Sequence, residues 1–240
     1  MRGWWREISG LVLPVDCGGC GTPRTPLCEV CASALYGTAA RRARPVPEPA
    51  GLPVVHAAAP YGDAVRAVLL AHKERGALGL ARPLGVALAG AVRAGLPRAA
   101  RAAAGPLLLV PVPSARHAVR ARGHDAARRI ALAAAGELRR TGTEARALPV
   151  LRQWRAVADQ SGLTAPERLA NLAGALEVAA GGGRLLESGR AVLVDDLMTT
   201  GASLVEAARA LRVAAGPRFP GPVSAAVVAV PPISFEMNRN

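Results

Sequence analysis

Three apolar runs, broken only by Ser224, most constrain what this chain can fold into: LLLVPVP (107–113), AVLV (191–194) and VSAAVVAV (223–230). Such runs lack the polar alternation of a half-exposed strand and are typical of strands that a parallel sheet buries on both faces. Segments with the apolar spacing of helices lie among them. The alternation predicts an α/β chain with a parallel sheet, flanking helices and right-handed crossovers. Helices are predicted at 63–75, 77–96, 126–142, 164–176 and 201–216, and further strands at 54–60 and 147–153.

Composition limits the class of protein. The 240 residues suffice for one α/β domain with a small appendage. Apolar residues make up 51% of the chain and aromatic residues only 3%, so the core must consist mainly of Ala, Val and Leu. The net charge of +13 indicates either an anionic partner or a general preference for arginine, since Lys73 is the only lysine. The apolar runs are too short to span a membrane, and the first residues do not resemble a secretion signal, so we expect a cytoplasmic protein without membrane insertion.

The sequence divides into three regions. Residues 1–36 hold all four cysteines and are predicted to form a zinc-binding element. Residues 37–53 are rich in Arg and Pro, and their repeated prolines disfavour a helix, so this segment is predicted to be an extended linker and the domain boundary. Residues 54–240 carry the alternating strand and helix pattern and are predicted to be the main domain.

The cysteines form two C-x₂-C pairs separated by seven residues: Cys17 and Cys20, then Cys28 and Cys31. Each pair can direct two thiolates at one centre, and four thiolates give closed tetrahedral Zn²⁺ coordination without an open position for catalysis. A thioredoxin-like redox pair would need a strand–helix context that this region lacks. The spacing therefore predicts a structural zinc site.

An acidic pair follows the apolar run at 191–194, in the stretch VLVDDLMTTGAS. Open parallel sheets bind ligands at the carboxyl ends of their strands, where Asp195 and Asp196 are predicted to lie. The start of the next helix offers free N–H groups, and Gly201 permits a tight turn there, so an anion can bind. Carboxylates for a sugar diol and an adjacent anion site suit a sugar 5-phosphate. The alternative is a solvated strand end followed by a capped helix.

This stretch closely resembles the phosphoribosyl diphosphate (PRPP) motif of type I phosphoribosyltransferases. The rest of the chain, from about residue 11 to 231, resembles the competence protein F (ComF) family. That family has an N-terminal four-cysteine element, a Y-x-G-x₂-R segment with a following Lys, a P-V-P sequence before R-x-R-G-F-N-Q, and a Q…E-R…N stretch. The matching residues are Tyr61, Gly62, Arg66, Lys73, Pro111, Val112, Pro113, Arg120, Arg122, Gly123, Gln160, Glu167, Arg168 and Asn171.

The resemblance implies a type I phosphoribosyltransferase fold that binds PRPP with Mg²⁺ and transfers its phosphoribosyl group to an unknown acceptor. Asp195 and Asp196 are implied to be the catalytic pair. The implied PRPP-binding residues are Asp195, Asp196, Met198, Thr199, Thr200, Gly201, Ala202 and Ser203. The implied pyrophosphate loop comprises Val112, Pro113, Ser114, Arg116, Arg120 and Arg122, within a basic polar connection at 114–125. The implied flexible loop and hood contribute Arg152, Arg155, Gln160 and Arg168.

One segment departs from the family pattern. Where the family reads R-G-F-N-Q, this chain has His124, Asp125 and Ala126 after Arg122 and Gly123. The amide pair is replaced by an acid and a methyl group, which leaves ligand binding by this segment open.

A second class of function is a non-catalytic protein that binds PRPP or a nucleotide and handles single-stranded DNA. The family name refers to DNA uptake in natural transformation, and the resemblance therefore implies single-stranded DNA and competence-machinery proteins as partners. Trp154 is interpreted either as a stacking platform or, preferably, as a packing residue of the hood. Lys73 at a predicted helix end is explained by the helix dipole alone, although its being the only lysine hints at a further role. A regulator is disfavoured because the sequence has no evident helix-turn-helix.

Overall fold

The computed structural model describes residues 16–96, 105–160, 162–216 and 223–236. A six-stranded sheet forms its centre, in the order β1-β2-β8-β7-β3-β4. The edge strand β1 is antiparallel to β2, and the other neighbours are parallel, as the apolar runs predict. The strands are β1 (Arg41–Ala43), β2 (Val54–Pro60), β3 (Leu107–Pro111), β4 (Ala145–Ala147), β5 (Leu151–Gln153), β6 (Leu176–Val178), β7 (Arg190–Leu197) and β8 (Ser224–Val230), of which β5 and β6 form a separate antiparallel pair.

Helices cover both faces of the sheet. They are α1 (Glu29–Tyr36), α2 (Asp63–Glu74), α3 (Ala81–Ala94), α4 (Arg116–Arg122), α5 (Ala126–Arg140), α6 (Ala165–Leu172), α7 (Gly182–Leu186), α8 (Ala202–Ala215) and α9 (Pro232–Glu236). Buried residues of α2, α3 and α5 form one hydrophobic cluster with the sheet, and those of α8 form a second cluster on the opposite face. All five residues of β3 are buried, which explains why that strand carries no polar residue.

The core consists of Ala, Val and Leu, as the composition predicts. Phe235 is the only buried Phe, Tyr or Trp in the described ranges. Small residues let the helices approach closely: a Cβ atom on Gly85 of α3 would lie 2.5 Å from the Cβ of Ala133 in α5. Close packing of small side chains therefore replaces the usual aromatic contribution to the core.

Two predicted elements of the main domain differ in kind from the structure, and the predicted helix 164–176 ends at Leu172, before β6 begins at Leu176. The segment 114–125 is predicted to be a basic, polar connection, but it contains α4, which is capped by Gly123 with a left-handed φ of 74°. The predicted strand 147–153 is divided between two sheets: β4 ends at Ala147, and β5 begins at Leu151. The first segment is short and polar, so its periodicity carries little information. The second has only seven residues and contains Pro149, which cannot donate a hydrogen bond within a sheet.

The N-terminal region packs directly on the main domain. The predicted linker 37–53 contributes β1 to the central sheet. In the cysteine region, a Cβ on Gly18 would lie 2.7 Å from Leu80, and one on Gly19 would lie 3.3 Å from Val68 of α2. The cysteine element therefore rests on α2 and the turn that follows it. Within the described ranges, no helix is long and apolar enough to cross a membrane.

Candidate functional site

A cleft of about 530 Å³ opens at the carboxyl ends of β3 and β7. One wall consists of the residues that follow β3 and part of α4, and the other consists of the segment between β5 and α6. The floor carries Asp195 and Asp196. The cleft therefore lies where parallel sheets usually bind ligands. Its charged lining residues in the described part of the chain are Lys73, Glu74, Arg122, Asp159, Arg168, Asp195 and Asp196.

The two adjacent carboxylates occupy different environments. Successive strand residues point to opposite faces of a sheet. Asp196 is buried, and its Oδ2 accepts a hydrogen bond of 2.7 Å from the Lys73 ammonium of α2. Asp195 is half-buried, and its Oδ1 accepts from the backbone N–H of Asp196 at 2.8 Å. The two side chains leave β7 in different directions, but both line the cleft and remain close enough to influence each other's ionisation.

The pKa values of the pair are shifted in opposite directions. Burial and the neighbouring Asp196 raise the pKa of Asp195 well above its ordinary range. Burial also opposes ionisation of Asp196, but the Lys73 ammonium outweighs it and lowers the pKa of that carboxyl. Asp196 is therefore the permanent carboxylate, whereas Asp195 ionises more readily when a cation lies beside it.

The turn from residue 199 to 203 forms an anion-sized recess at the start of α8. Gly201 has a φ of +80°, and a Cβ there would lie 2.8 Å from Leu52, so both backbone and space require glycine. A recess of about 30 Å³ is lined by this turn together with Gln160 and Asp195. The free N–H groups of a fourteen-residue helix and the nearby hydroxyls of Thr199 and Ser203 can donate to an anion here.

Only part of the predicted pyrophosphate loop lines the cleft. Val112, Pro113, Ser114 and Arg122 do, whereas Arg116 and Arg120 are exposed and not among its lining residues. The Arg116 guanidinium instead donates to the Gln153 carbonyl at 2.9 Å. The α4 helix explains the difference, because Arg116 and Arg120 are four positions apart and share one face, whereas Arg122 lies on another side of the helix.

The predicted hood residues divide in the same way. Gln160 and Arg168 line the cleft, and Arg168 donates to the Thr199 hydroxyl at 3.0 Å, which joins the hood to the turn. Arg152 instead pairs with Glu177 on β6. Arg155 donates to the backbone carbonyls of residues 171 and 173. Arg152 and Arg155 therefore stabilise the segment from β5 to β6, here called the hood, and do not line the cleft.

Trp154 does not pack within the hood. Its exposed fraction is 68%, so the preferred sequence interpretation is wrong. Its backbone N–H donates to the carbonyl of Ala175 at 2.9 Å, which fixes the chain while the indole faces solvent.

The segment that departs from the family pattern has structural contacts. The His124 ring lies within 3.1 Å of the carbonyl oxygens of both His72 and Arg122, and so connects α2 to α4. Asp125 caps α5 by accepting from the Arg128 N–H at 3.1 Å. Ala126 is buried in the core. These structural contacts explain the presence of His124, Asp125 and Ala126, and no bound ligand is needed to explain them.

Lys73 is a site residue that the sequence analysis singled out as the only lysine but did not assign to the site. It lies 123 positions before its partner Asp196, so no local pattern could join them. The available signal was that Lys73 is the only lysine in a chain with 30 basic residues. Its neighbour Glu74, which also lines the cleft, accepts a hydrogen bond from Arg122 at 2.8 Å.

The four cysteines come together as their spacing predicts. The sulfurs of Cys17, Cys20, Cys28 and Cys31 all lie within 4.8 Å of one another, and none is in a disulfide. Burial raises the pKa of the Cys17 thiol, but backbone N–H groups, first that of Cys28, outweigh it and lower the value to about 6. Burial and the neighbouring sulfurs raise the pKa of Cys31. Four adjacent thiolates need a compensating cation, so the cluster can hold a metal ion such as zinc.

Fold and site together define an α/β protein with a charged ligand cleft at the carboxyl edge of a parallel sheet and a four-cysteine cluster suited to a metal. No protein-family model matches the chain, and no curated protein gives a significant match.

Proposed function

We propose that the chain is a phosphoribosyltransferase of the ComF family, with a type I phosphoribosyltransferase fold. It binds PRPP with Mg²⁺ and transfers the phosphoribosyl group to an acceptor. The observation that carries the proposal is that one cleft combines the acidic pair at the end of β7 with the glycine-led turn that opens α8. A sugar that bears hydroxyls and a 5-phosphate needs both features at adjacent positions.

Each part of PRPP would contact a different group of residues in the cleft. Asp195 and Asp196 would accept from the ribose hydroxyls, and the 199–203 turn would receive the 5-phosphate. The backbone of 112–114 and the Arg122 guanidinium lie across the cleft, where they suit the pyrophosphate. Mg²⁺, when bound, would neutralise the pyrophosphate oxygens.

Catalysis in this proposal rests on positioning and charge. The bond from C1′ of the ribose to the pyrophosphate oxygen breaks, and the bonding electrons leave with pyrophosphate. A lone pair of the acceptor then forms the new bond to C1′. The carboxylates below the ribose favour the positive charge that develops there. Gln160 and Arg168 on the hood restrict access of water, which would otherwise compete with the acceptor.

Calorimetric titration of the folded, zinc-loaded protein with PRPP and Mg²⁺ tests the proposal. We expect Asp195→Asn to weaken binding about 10- to 100-fold, because a charge-assisted hydrogen bond is lost. Asp63→Asn is the matched control, since Asp63 is exposed and does not line the cleft. Lack of PRPP binding by wild type, or equal binding by Asp195→Asn, would reject the proposal. Release of pyrophosphate on adding candidate acceptors would separate a transferase from a protein that only binds PRPP.

A second candidate function, binding of single-stranded DNA, is favoured by the exposed Trp154. Exposed Arg152 and Arg155 flank it in sequence, and an indole beside basic residues suits base stacking. We expect Trp154→Ala to weaken binding of a labelled oligothymidylate at low salt about tenfold. Val213→Ala, at a similarly exposed apolar position on α8, serves as the control. Equal binding by Trp154→Ala and wild type would remove this candidate.

A further inference from the structure

Two consecutive residues at the end of α2 bind opposite charges of the cleft. The Lys73 ammonium contacts Asp196 at 2.7 Å, and the Glu74 carboxylate contacts Arg122 at 2.8 Å. Asp196 lies on the floor, and Arg122 lies on the wall formed by α4. The two side chains at this helix end thus form ion pairs with both the acidic and the basic group that a charged ligand would need.

The partners in each pair differ in exposure. The side chains of Asp196 and Arg122 are only 8% and 10% exposed, whereas those of Lys73 and Glu74 are 34% and 50% exposed. A mostly buried charge that loses its partner is strongly destabilising, so the buried member can release its partner only when a group of the ligand replaces it. The exposed member has solvent on one side and room to move towards a ligand.

The backbone at this helix end is held in place. The His72 carbonyl oxygen lies 3.1 Å from Nε2 of His124, and the Ala71 carbonyl accepts from the Ala77 N–H at 3.0 Å. The cysteine element also rests on the same helix, against Val68 and Ala71. Movement at Lys73 is therefore confined to its long side chain, which can turn without shifting α2.

A helix dipole does not explain this lysine. The dipole needs only a cation near the last turn, and an exposed one would serve. Here the ammonium extends from α2 to β7, where it neutralises Asp196, the most buried carboxylate of the cleft. When a diol or a cation occupies Asp196, that ammonium is left half-buried inside the cleft and needs another anion.

We propose that Lys73 is a ligand-binding residue whose ammonium leaves Asp196 and binds a phosphate oxygen when a diphosphate enters the cleft. Glu74 releases Arg122 to the same ligand, so the two pairs exchange together. The identity of the ligand as PRPP rests on the function proposed above, whereas the anion-binding role of Lys73 does not.

Because Lys73 is the only lysine, protein labelled with ¹³C at lysine Cε gives one lysine resonance that reports on this residue alone. The zinc-loaded protein is titrated separately with inorganic pyrophosphate and with PRPP, each with Mg²⁺. Asp196→Asn supplies the reference for an ammonium freed from its carboxylate. In that variant the pKa of Lys73 should fall, because burial lowers it and Asp196 is what raises it in the wild type.

We expect both ligands to shift the resonance, and we expect Lys73→Met to weaken both about tenfold or more. Arg75→Met is the matched control, since Arg75 is an exposed cation at the same helix end and does not line the cleft. The labelled wild type needs no substitution, so a folding defect in Lys73→Met leaves the resonance decisive.

A shift with pyrophosphate but no binding of PRPP would support Lys73 as an anion-binding residue and reject the phosphoribosyl function. The inference would be overturned if a ligand binds while the resonance is unchanged and the affinity of Lys73→Met is undiminished. If that ligand is PRPP, the proposed phosphoribosyl function would still stand. Failure of both ligands to bind the wild type would overturn both.

Discussion

Cys31→Ser is expected to release the metal from the four-cysteine cluster and to lower the free energy of unfolding by at least about 4 kcal/mol. Structural zinc sites bind with roughly 10–16 kcal/mol, and that energy stabilises the fold only while all four ligands are present. Cys31 is 1% exposed and lies against Gly19, so its sulfur also organises the surrounding turn. Because this element covers Val68 and Leu80, its loss would expose part of the main core.

The measurement combines the metal content of the purified protein with urea unfolding, with and without a chelator. Val30→Ala is the control, because Val30 lies on the same helix as Cys31 and is 77% exposed. It should leave both metal content and stability unchanged. A wild-type protein without stoichiometric metal, and with stability that a chelator does not alter, would contradict the zinc assignment.

Glu206→Ala is expected to lower the free energy of unfolding by about 1–3 kcal/mol, the cost of leaving a buried N–H without its acceptor. Glu206 on α8 is 4% exposed and accepts from the Leu176 N–H of β6 at 2.9 Å. It also accepts two hydrogen bonds of 2.8 Å from Arg209, which in turn donates to the Leu176 carbonyl. Removal of the carboxylate leaves the buried Leu176 N–H without its acceptor, whereas the Arg209 guanidinium, which is 42% exposed, keeps the Leu176 carbonyl and solvent.

The substitution should also loosen the wall of the cleft, since Leu176 is a lining residue. Amide hydrogen exchange at Leu176, measured beside urea unfolding, reports this directly. Glu137→Ala is the matched control: Glu137 and Arg140 form an ion pair with the same spacing, but Arg140 is 68% exposed. The control should change stability little, because exposed pairs contribute little. Equal effects of the two substitutions would show that the hydrogen bonds of Glu206 and Arg209 to Leu176 do not stabilise the contact between α8 and β6.

Acid should reproduce part of the Glu206 effect. Burial raises the pKa of Glu206, but Arg209 and the backbone donors outweigh it, so the folded pKa lies below the ordinary value. Its contribution to stability is therefore complete above the unfolded pKa of about 4.3 and decreases as the pH falls through the folded pKa. In Glu206→Ala that part of the acid sensitivity should be absent.

Local patterns predicted most of the scaffold. The apolar runs at 107–113 and 223–230 became β3 and β8, because complete burial on both faces leaves a signature in every residue. The run at 191–194 with its acidic end became β7, and Gly201 opens α8 as expected. The predictions for the short segments around α4 and β5 were wrong, since the structure of these segments depends on what they pack against.

The candidate site also has one part that local patterns predicted and another part that depends on the three-dimensional structure. Asp195, Asp196 and the 199–203 turn lie within nine consecutive residues, and the cysteines lie within fifteen, so spacing alone placed each group on a strand end or a metal cluster. Which arginines face the cleft was beyond the sequence, because α4 rotates each one by its position on the helix.

The amino-acid sequence by itself thus determined the parallel sheet, the acidic strand end with its turn, and the four-cysteine spacing, because each is a short-range pattern of burial or donor type. Only the tertiary structure brought Lys73 to Asp196, Glu74 to Arg122 and Glu206 to Leu176. A charge pair depends on distance in space, and folding brings together side chains that sequence order leaves far apart.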